Sequence, residues 1–239
     1  MTKAAALFTG GKDSTRAVEL ALAEGLDVAY LVTLLPARDD SWMYHSAALN
    51  IIDLLEEALG IPLVKRPSSG VKEEEVEDLY EALKGLDVEA VVSGVVASVY
   101  QRSRMEAVCR RLGLKLYAPL WGVDEEEYLK ELIDEGYEVL FVSASALGLD
   151  ESWLGRRLDE EALRELKRLR DRYGISLALE GGEAETLVLD SPIHRKRLVV
   201  EEAVKDWRGR GGVLKIIKAS LVDKEYAPSR YHRLKPSRY

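Results

Sequence analysis

The sequence has few of the residues that build disulfides, metal clusters or membrane spans. It contains one cysteine, Cys109, and three histidines among 239 residues. One thiol excludes an internal disulfide and a paired-cysteine zinc or redox site, and the scattered histidines form no ligand cluster. No apolar run reaches the roughly 18 residues that a membrane-spanning helix needs, and the N-terminus lacks a signal-peptide layout. We therefore expect a protein of the reducing cytoplasm with no membrane partner.

Positive charge is scarce outside the C-terminal segment. The net charge is −8, yet residues 194–239 hold thirteen Lys/Arg against five Asp/Glu. The rest of the chain is therefore strongly acidic, which predicts no stable nucleic-acid complex. The basic end either contacts an acidic surface or only solvates the chain terminus. Its interleaved tyrosines and arginines over 226–239 also suit RNA or a docking arm.

The most informative stretch is a short loop near the N-terminus. An apolar run, Ala4–Phe8, predicts a buried parallel strand, and apolar residues at helical spacing follow after residue 16. Between strand and helix lies the hexapeptide Thr9, Gly10, Gly11, Lys12, Asp13 and Ser14. The unit therefore predicts a strand, a tight loop and a helix.

This loop has the chemistry of a phosphate site. Gly10 and Gly11 allow a close approach of backbone to ligand, and the helix N-terminus directs unpaired N–H groups and its positive dipole end at the loop. Lys12 adds a full charge. Asp13 can hold Mg²⁺, and Ser14 can cap the helix or donate to an oxygen.

The hexapeptide lacks the spacing of the common P-loop and resembles the Ser-Gly-Gly-Lys-Asp-Ser loop of the ATP pyrophosphatases (PP-loop proteins). Thr9 stands where that family usually has Ser and keeps the hydroxyl. The resemblance implies ATP as ligand, Mg²⁺ as its counter-ion, and cleavage between the α and β phosphates.

Alternating apolar runs and helical patterns predict a doubly wound α/β fold with a mainly parallel five-stranded sheet. The further strands are expected at Val28–Leu35, Ile61–Lys65, Val88–Val92 and Tyr137–Ser143. Ligands of such sheets lie beyond the carboxyl ends of the strands, so Thr33 and Leu34 are candidates to contact adenine. His45 begins a predicted helix near that end, and the resemblance favours a binding role for it.

A second strand-loop-helix unit follows the fourth predicted strand. Gly94 opens its loop, and Cys109 lies on the apolar stripe of the helix, which predicts a core residue rather than a nucleophile. Arg102 and Arg104 stand in the first turn, where the helix dipole disfavours cations. Such placement against local preference indicates a site, and two arginines there suit phosphates or a carboxylate.

This second stretch is similar to one branch of the ATP pyrophosphatases in particular. Ser98-x-Tyr100-Gln101-Arg102-x-Arg104, then Arg111-Leu112-Gly113 and Pro119-Leu120-Trp121, is similar to the diphthine–ammonia ligase branch of the ATP pyrophosphatases. The branch makes the last step of diphthamide on translation elongation factor 2. The resemblance thus implies that Gly94, Tyr100 and Gln101 bind the nucleotide, and that the partners are diphthine-bearing elongation factor 2 and ammonia.

The third motif is a glutamate-rich loop with two glycines. It runs Glu180, Gly181, Gly182, Glu183, Ala184, Glu185 and Thr186. Its carboxylates suit magnesium, ammonia or an amine, and its glycines indicate close backbone approach. It is similar to the Glu-Gly-Gly-Glu-x-Glu-Thr signature of the same ligases, which implies binding roles for Gly181, Gly182 and Thr186. Ala184 replaces a usual aromatic residue, and Leu179 stands where glycine is frequent.

The predicted organisation has three parts. Residues 1–145 form an ATP-binding domain, 146–225 a smaller α+β substrate domain and 226–239 a basic tail. Two strands, 196–207 and 211–222, form a hairpin beside a strand at Leu187–Leu189.

The hypothesis is an amide ligase that forms an acyl-adenylate of diphthine and passes it to ammonia. Lys12, Mg²⁺ and the arginines Arg102 and Arg104 stabilise phosphate charge, and Glu183 and Glu185 hold ammonium or act as base. Two other functions fit the first loop, a PP-loop enzyme acting on tRNA and a nucleotide-binding regulator without chemistry. One buried cysteine and an acidic body disfavour an enzyme acting on tRNA. A regulator without chemistry would leave the arginines and the glutamate-rich loop without a role.

Overall fold

The computed structural model describes residues 1–36, 51–70 and 74–224. His45 and the tail 226–239 therefore lie outside the described residues. A parallel sheet occupies the first half and has the order β3-β2-β1-β4-β5. Its strands are β1 (Lys3–Leu7), β2 (Asp27–Pro36), β3 (Leu63–Ser68), β4 (Ala90–Val92) and β5 (Lys115–Tyr117). The α/β fold with a five-stranded parallel sheet is confirmed.

Helices connect these strands. They are α1 (Lys12–Ala23), α2 (Ile52–Leu59), α3 (Glu74–Leu83) and α4 (Val99–Leu112), with α5 (Glu125–Asp134) and α6 (Glu160–Tyr173) after the sheet. In the part of the chain that is described, no helix is long and apolar enough to cross a membrane.

The centre of the parallel sheet is β1, which pairs with β2 on one side and β4 on the other. Its Ala4, Ala5 and Ala6 are almost completely buried. The chain moves outward from β1 in both directions, so the strand order reverses beside it. A crevice forms at such a reversal, at the carboxyl ends of the strands, and ligands of doubly wound folds bind there.

The fifth strand of this sheet was predicted wrongly. The run Tyr137–Ser143 forms β6 (Glu138–Ala144), which belongs to a second, antiparallel sheet. The fifth parallel strand is instead β5, which pairs with β4 over three residues. An apolar run indicates a buried strand but not the sheet that takes it, and three residues are too few to show a period.

The second sheet has the order β7-β6-β9-β8, with β7 at Ala184–Asp190, β8 at Lys196–Arg208 and β9 at Gly211–Asp223. The predicted hairpin is confirmed as β8 and β9. It does not pair with β7 as expected, because β6 lies between β7 and β9.

One hydrophobic cluster joins the two sheets. It contains Ala6 and Phe8 from the first half together with Phe141 and Leu187 from the second. A smaller cluster covers the other face of the parallel sheet under α3 and α4, and it includes Cys109. Burial raises the pKa of the Cys109 thiol to about 11, so its predicted core role is confirmed. The domain division at residue 145 stays a prediction.

Candidate functional site

A cavity of about 390 Å³ opens at the carboxyl ends of the central parallel strands. Its first wall is formed by Leu7 at the end of β1 with Phe8 after it, Val32 and Leu34 of β2, and Ser93 after β4. The opposite wall comes from the second half of the chain, from the end of β6 and the glutamate-rich loop. The cavity therefore lies at the reversal of strand order and is shared by both halves.

Many of the predicted site residues meet in this cavity. The lining contains eight of them: Thr9, Asp13, Ser14, Leu34, Gly94, Gln101, Gly182 and Glu185. The other predicted residues that the structure describes stand behind the wall or beside it. The roles assigned to all of them stay predictions.

The first loop is held from behind by β7. Val188 donates its backbone N–H to the Gly10 carbonyl at 2.8 Å, and the Lys12 backbone N–H donates to the Thr186 hydroxyl at 3.1 Å. Gly10 has a φ of +80°, and a Cβ there would lie 2.4 Å from Leu55 Cδ1. The predicted role of Thr186 thus has a structural counterpart, because its hydroxyl satisfies the first N–H of α1.

The hydroxyls of the loop bond within it. Ser14 Oγ accepts from the Thr9 backbone N–H at 3.3 Å and donates to the Gly11 carbonyl at 3.1 Å. Gly11 is the N-cap residue of α1, and it has no side chain to cap the helix. Ser14 therefore stiffens the loop, and both hydroxyl-bearing residues remain in the cavity wall.

Lys12 does not line the cavity. Its side chain is buried, and Nζ donates to both oxygens of Asp13, at 2.9 and 3.0 Å, and to the Ala178 carbonyl at 2.6 Å. The ammonium thus joins the first loop to a segment of the second half. Its positive charge faces Asp13, which does line the cavity.

Asp13 is fixed by a second partner that the sequence did not indicate. The buried Tyr128 of α5 donates its hydroxyl to Asp13 Oδ1 at 2.8 Å. Burial, and then the negative charge of Asp13, raise the pKa of Tyr128 well above its ordinary value. The phenol is therefore neutral and acts as a donor that orients the carboxylate.

Gly94 allows the second loop to approach the first. A Cβ at this position would lie 2.5 Å from the Asp13 carbonyl carbon and 2.7 Å from the Ser14 nitrogen. Both are backbone atoms, which cannot turn aside as a flexible side chain does. The first turn of α1 therefore packs directly on Gly94, and only glycine fits there.

Arg102 and Arg104, near the start of α4, are not part of the cavity lining. Arg102 bonds Glu106 at 2.8 Å and lies over the Trp121 ring at 4.4 Å, and Arg104 lies over the Tyr100 ring at 3.5 Å. Gln101, which directly precedes Arg102, does line the cavity. Arg102, Arg104 and Tyr100 lie outside the lining, and the roles predicted for them stay predictions.

The three carboxylates of the glutamate-rich loop differ in position and in hydrogen-bond partners. Glu185 lines the cavity and pairs in register with Ser143 of β6. Glu183 does not line it; its carboxylate accepts from the Ser176 backbone N–H at 3.3 Å. Glu180 lines the cavity and accepts three backbone N–H groups of the loop before α4.

The two glycines of this loop also differ in their position relative to the cavity. Gly182 is in the cavity lining, and its carbonyl accepts from the Ser145 hydroxyl. Gly181 is exposed and outside the lining. Thr33 is also outside the lining; it is buried and donates its hydroxyl to the Phe8 carbonyl at 2.6 Å.

Charge in the described wall is of one sign. Asp13, Glu180 and Glu185 line the cavity, and no Lys, Arg or His of the described ranges does. Within those same ranges no three His, Cys, Asp or Glu side chains gather closely enough to hold a metal ion by themselves. An anionic ligand here would need cations that accompany it.

The sequence did not single out several wall residues. Ser143 and Ser145 are polar residues at the end of an apolar strand, a signal that sequence reasoning can use once the strand is placed correctly. Leu179 has a φ of +64°, the only left-handed residue other than glycine among those described. Glycine favours that conformation, which fits the frequent glycine at this position in the resembled family.

Comparisons with known proteins cover both halves of the chain. A family model described as diphthamide synthase N-terminal domain matches residues 2–116, and one described as diphthamide synthase C-terminal domain matches residues 124–222. A solved structure described as a predicted subunit of tRNA methyltransferase from Methanocaldococcus jannaschii is similar with a TM-score of 0.42 and 15% identity, over 80% of this chain and 98% of that one. That likeness is too low to bear on function.

Relatives with closer sequences agree with the family models. The diphthine–ammonia ligase of Homo sapiens is 37% identical over 226 residues, which cover 84% of each chain. The diphthine–ammonia ligase of Schizosaccharomyces pombe is 35% identical over 95% of this chain and 41% of its own length. The chain therefore belongs to the diphthamide synthase family, the family of the diphthine–ammonia ligases.

Proposed function

We propose that this chain is an ATP-dependent ligase that converts diphthine to diphthamide on translation elongation factor 2, with ammonia as nitrogen donor. The observation that carries the proposal is the shared cavity, which residues of all three family motifs line together. Asp13 comes from the first motif, Gln101 from the second and Glu185 from the third.

ATP fits the shape and polarity of this cavity. Phe8, Val32 and Leu34 offer an apolar surface suited to adenine at the strand ends. Thr9, Asp13 and Ser14 lie at the N-terminus of α1, the end of a helix that favours phosphate. We infer that the base lies against β2 and the phosphates against the first loop.

The acidic wall supports Mg²⁺ as the counter-ion of ATP. Three carboxylates facing a polyphosphate would repel it, and the described wall has no cationic side chain to oppose them. Mg²⁺ usually binds through one or two carboxylates together with substrate phosphates. Asp13 is the residue that would hold it, since Tyr128 and Lys12 fix its orientation. Bound there, the ion would neutralise phosphate charge.

The proposed reaction has two steps. A carboxylate oxygen of diphthine attacks the α-phosphorus of ATP, the bond to the bridging oxygen breaks, and pyrophosphate leaves. Ammonia then attacks the carbonyl carbon of the acyl-adenylate, and AMP leaves with the former carboxylate oxygen. The nitrogen loses one proton in forming the amide. Positioning and charge stabilisation supply most of the catalysis in such a sequence.

Glu185 is the carboxylate best placed to act on ammonia. It lines the cavity beside Ser143, whereas Glu183 lies outside the lining with its carboxylate at Ser176. We propose that Glu185 holds ammonium or takes its proton. Glu183 supports the loop, since its carbonyl accepts from the backbone N–H groups of Ser145 and Ala146. The guanidinium groups of Arg102 and Arg104 would contact phosphate only after they move off the rings of Trp121 and Tyr100.

The two alternative functions have less support. A wall of three carboxylates disfavours a polyanionic tRNA substrate, which binds through basic residues. A regulator without chemistry gives no role to Glu185 in the cavity. Membership of the diphthamide synthase family likewise favours the ligase.

A product assay tests the proposal. The protein is incubated with ATP, Mg²⁺, ammonium and diphthine-bearing elongation factor 2, and ADP is separated from AMP. We expect AMP and pyrophosphate that depend on the modified factor and on ammonium. AMP that forms equally without the factor would reject the substrate, product on tRNA alone would favour the first alternative, and ATP retention without turnover would favour the second.

A further inference from the structure

Glu180 joins the two halves of the cavity wall. Its Oε1 accepts from the Val96 backbone N–H at 2.6 Å, and its Oε2 accepts from those of Ala97 at 2.7 Å and Ser98 at 3.0 Å. Ser98 is the N-cap residue of α4. Both carboxylate oxygens are therefore engaged by the loop of the first half, although Glu180 belongs to the second.

The bonds to Glu180 are of a strong kind. Unpaired N–H groups and the positive dipole end stand at a helix N-terminus, and an ionised carboxylate there forms charge-assisted hydrogen bonds. Burial raises the pKa of Glu180, the three N–H groups oppose that shift, and the charge of Asp13 adds to it. The same carboxylate thus lies near Asp13 and holds the second loop.

The segment before Glu180 is tied at its other end as well. Glu125 at the start of α5 accepts from the backbone N–H groups of Leu177 at 2.7 Å and Ala178 at 3.1 Å. The carbonyl of Ala178 accepts from Lys12 Nζ. We call residues 176–180 the strap, since Glu125 holds one end of it and the carboxylate of its own Glu180 bonds the loop before α4 at the other end.

Leu179 shows that the strap is held under constraint. It is buried, lines the cavity and has a φ of +64°. A left-handed conformation is strained for a residue with a Cβ, and it persists only where its surroundings fix it. The bonds of Glu180 and Glu125 on either side of Leu179 supply that fixation.

We propose that Glu180 is a positioning residue for ATP rather than a ligand of ammonia or metal. Its carboxylate fixes the strap against the start of α4, and thereby places Leu179 in the wall and the Ala178 carbonyl on Lys12. The proposal rests on the proposed function, because it takes ATP as the ligand of the cavity. It assigns the first glutamate of the motif a task different from that of Glu185.

Three variants at this position and one control test the proposal. Glu180→Gln keeps the volume and removes the charge, Glu180→Asp keeps the charge with a shorter reach, and Glu180→Ala removes both. Asp159→Asn is the matched control, because Asp159 accepts the backbone N–H of Ala162 at 2.8 Å and caps α6 away from the cavity lining. Thermal denaturation of each variant establishes that it is folded at the temperature used.

ATP binding in the presence of Mg²⁺ is measured by calorimetry without protein substrate. We expect Glu180→Gln to bind ATP about tenfold more weakly, since charge-assisted hydrogen bonds are lost, with Glu180→Asp between it and the unmodified chain. Asp159→Asn should lower the melting temperature without changing ATP affinity. In the product assay, the ammonium KM of Glu180→Gln should stay within about twofold of that of the unmodified chain, a change far smaller than the loss of a charged ligand would give.

Two results would overturn the proposal. ATP affinity unchanged in a folded Glu180→Gln would show that the strap does not position the nucleotide. A raised ammonium KM with unchanged ATP affinity would make Glu180 an ammonium ligand. Because calorimetry needs no turnover, a chain that binds ATP but forms no amide would refute the ligase and leave the Glu180 result standing. A chain that binds no ATP would refute both.

Discussion

At the scale of single residues, the expected phosphate-binding lysine and the expected magnesium ligand bond to each other. Lys12 and Asp13 form a pair, and Tyr128 and the Ala178 carbonyl complete their contacts. Asp13 therefore presents its carboxylate to the cavity in a fixed orientation. This preorganisation is what a single carboxylate needs if it is to hold an ion together with mobile phosphates.

Removal of the Tyr128 hydroxyl should weaken ATP binding through Asp13. Tyr128→Phe keeps the ring and deletes one hydrogen bond to a charged group, a contribution of about 1.5 to 3 kcal/mol. We expect a lower melting temperature and a weaker affinity for ATP with Mg²⁺, measured by calorimetry across a range of Mg²⁺ concentrations.

Tyr137→Phe is the control for that variant. Tyr137 is also buried, and its hydroxyl donates to Glu19, a residue outside the cavity lining. This change should lower stability and leave ATP binding as it is. Equal ATP affinity in both variants would show that Tyr128 serves only the core.

Sequence chemistry predicted these residues better than it predicted their contacts. Glycines, a lysine and an aspartate before a helix indicate phosphate, and Asp13 does line the cavity. The bond of Lys12 to Ala178 joins residues 166 apart in sequence, and no local pattern reports it. The role of Tyr128 could not be predicted either, because an aromatic residue on a helix indicates core packing. Only the structure shows that its hydroxyl donates to Asp13.

At the scale of elements, two strand-loop-helix units face each other across the cavity. Their contact is a backbone one, with Gly94 against the first turn of α1. Sequence analysis identified both units, since each has an apolar run, a glycine and a helical stripe. It placed β6 in the wrong sheet, because the partners of β6 are β7 and β9, far along the chain.

Gly94→Ala should separate these two units. Its Cβ would lie 2.5 Å from a backbone atom of Asp13, so the loop or α1 must move. Overpacking of this kind costs about 1 to 3 kcal/mol. We expect a lower free energy of unfolding, from urea denaturation, together with at least about tenfold weaker ATP binding, which is the loss that about 1.4 kcal/mol gives.

Gly113→Ala distinguishes this effect from an ordinary loss of glycine. Gly113 ends α4 with a φ of +70° and has open space around its Cβ position. Alanine there should cost about 1 kcal/mol through backbone strain alone and should leave ATP binding unchanged. If both alanine variants bind ATP normally, the close approach at Gly94 has no bearing on the site.

At the scale of the whole molecule, the cavity exists only because both halves contribute to it. The parallel sheet supplies the first loop, and the antiparallel sheet supplies Glu185 and holds Gly10 through Val188. Composition predicted the acidic body and the motifs predicted two parts. How the parts meet depends on the strap and on β7, whose contacts span the two halves and leave no periodic trace in the sequence.

We propose that a carboxylate is activated in this cavity by transfer of AMP. Diphthine-bearing elongation factor 2 whose carboxylate carries a heavy oxygen isotope tests it directly. After one round of reaction with ATP, Mg²⁺ and ammonium, AMP and pyrophosphate are separated and weighed by mass spectrometry. We predict the heavy oxygen in AMP. Heavy oxygen in phosphate or pyrophosphate, with AMP unlabelled, would contradict attack at the α-phosphorus and with it the mechanism proposed for this site.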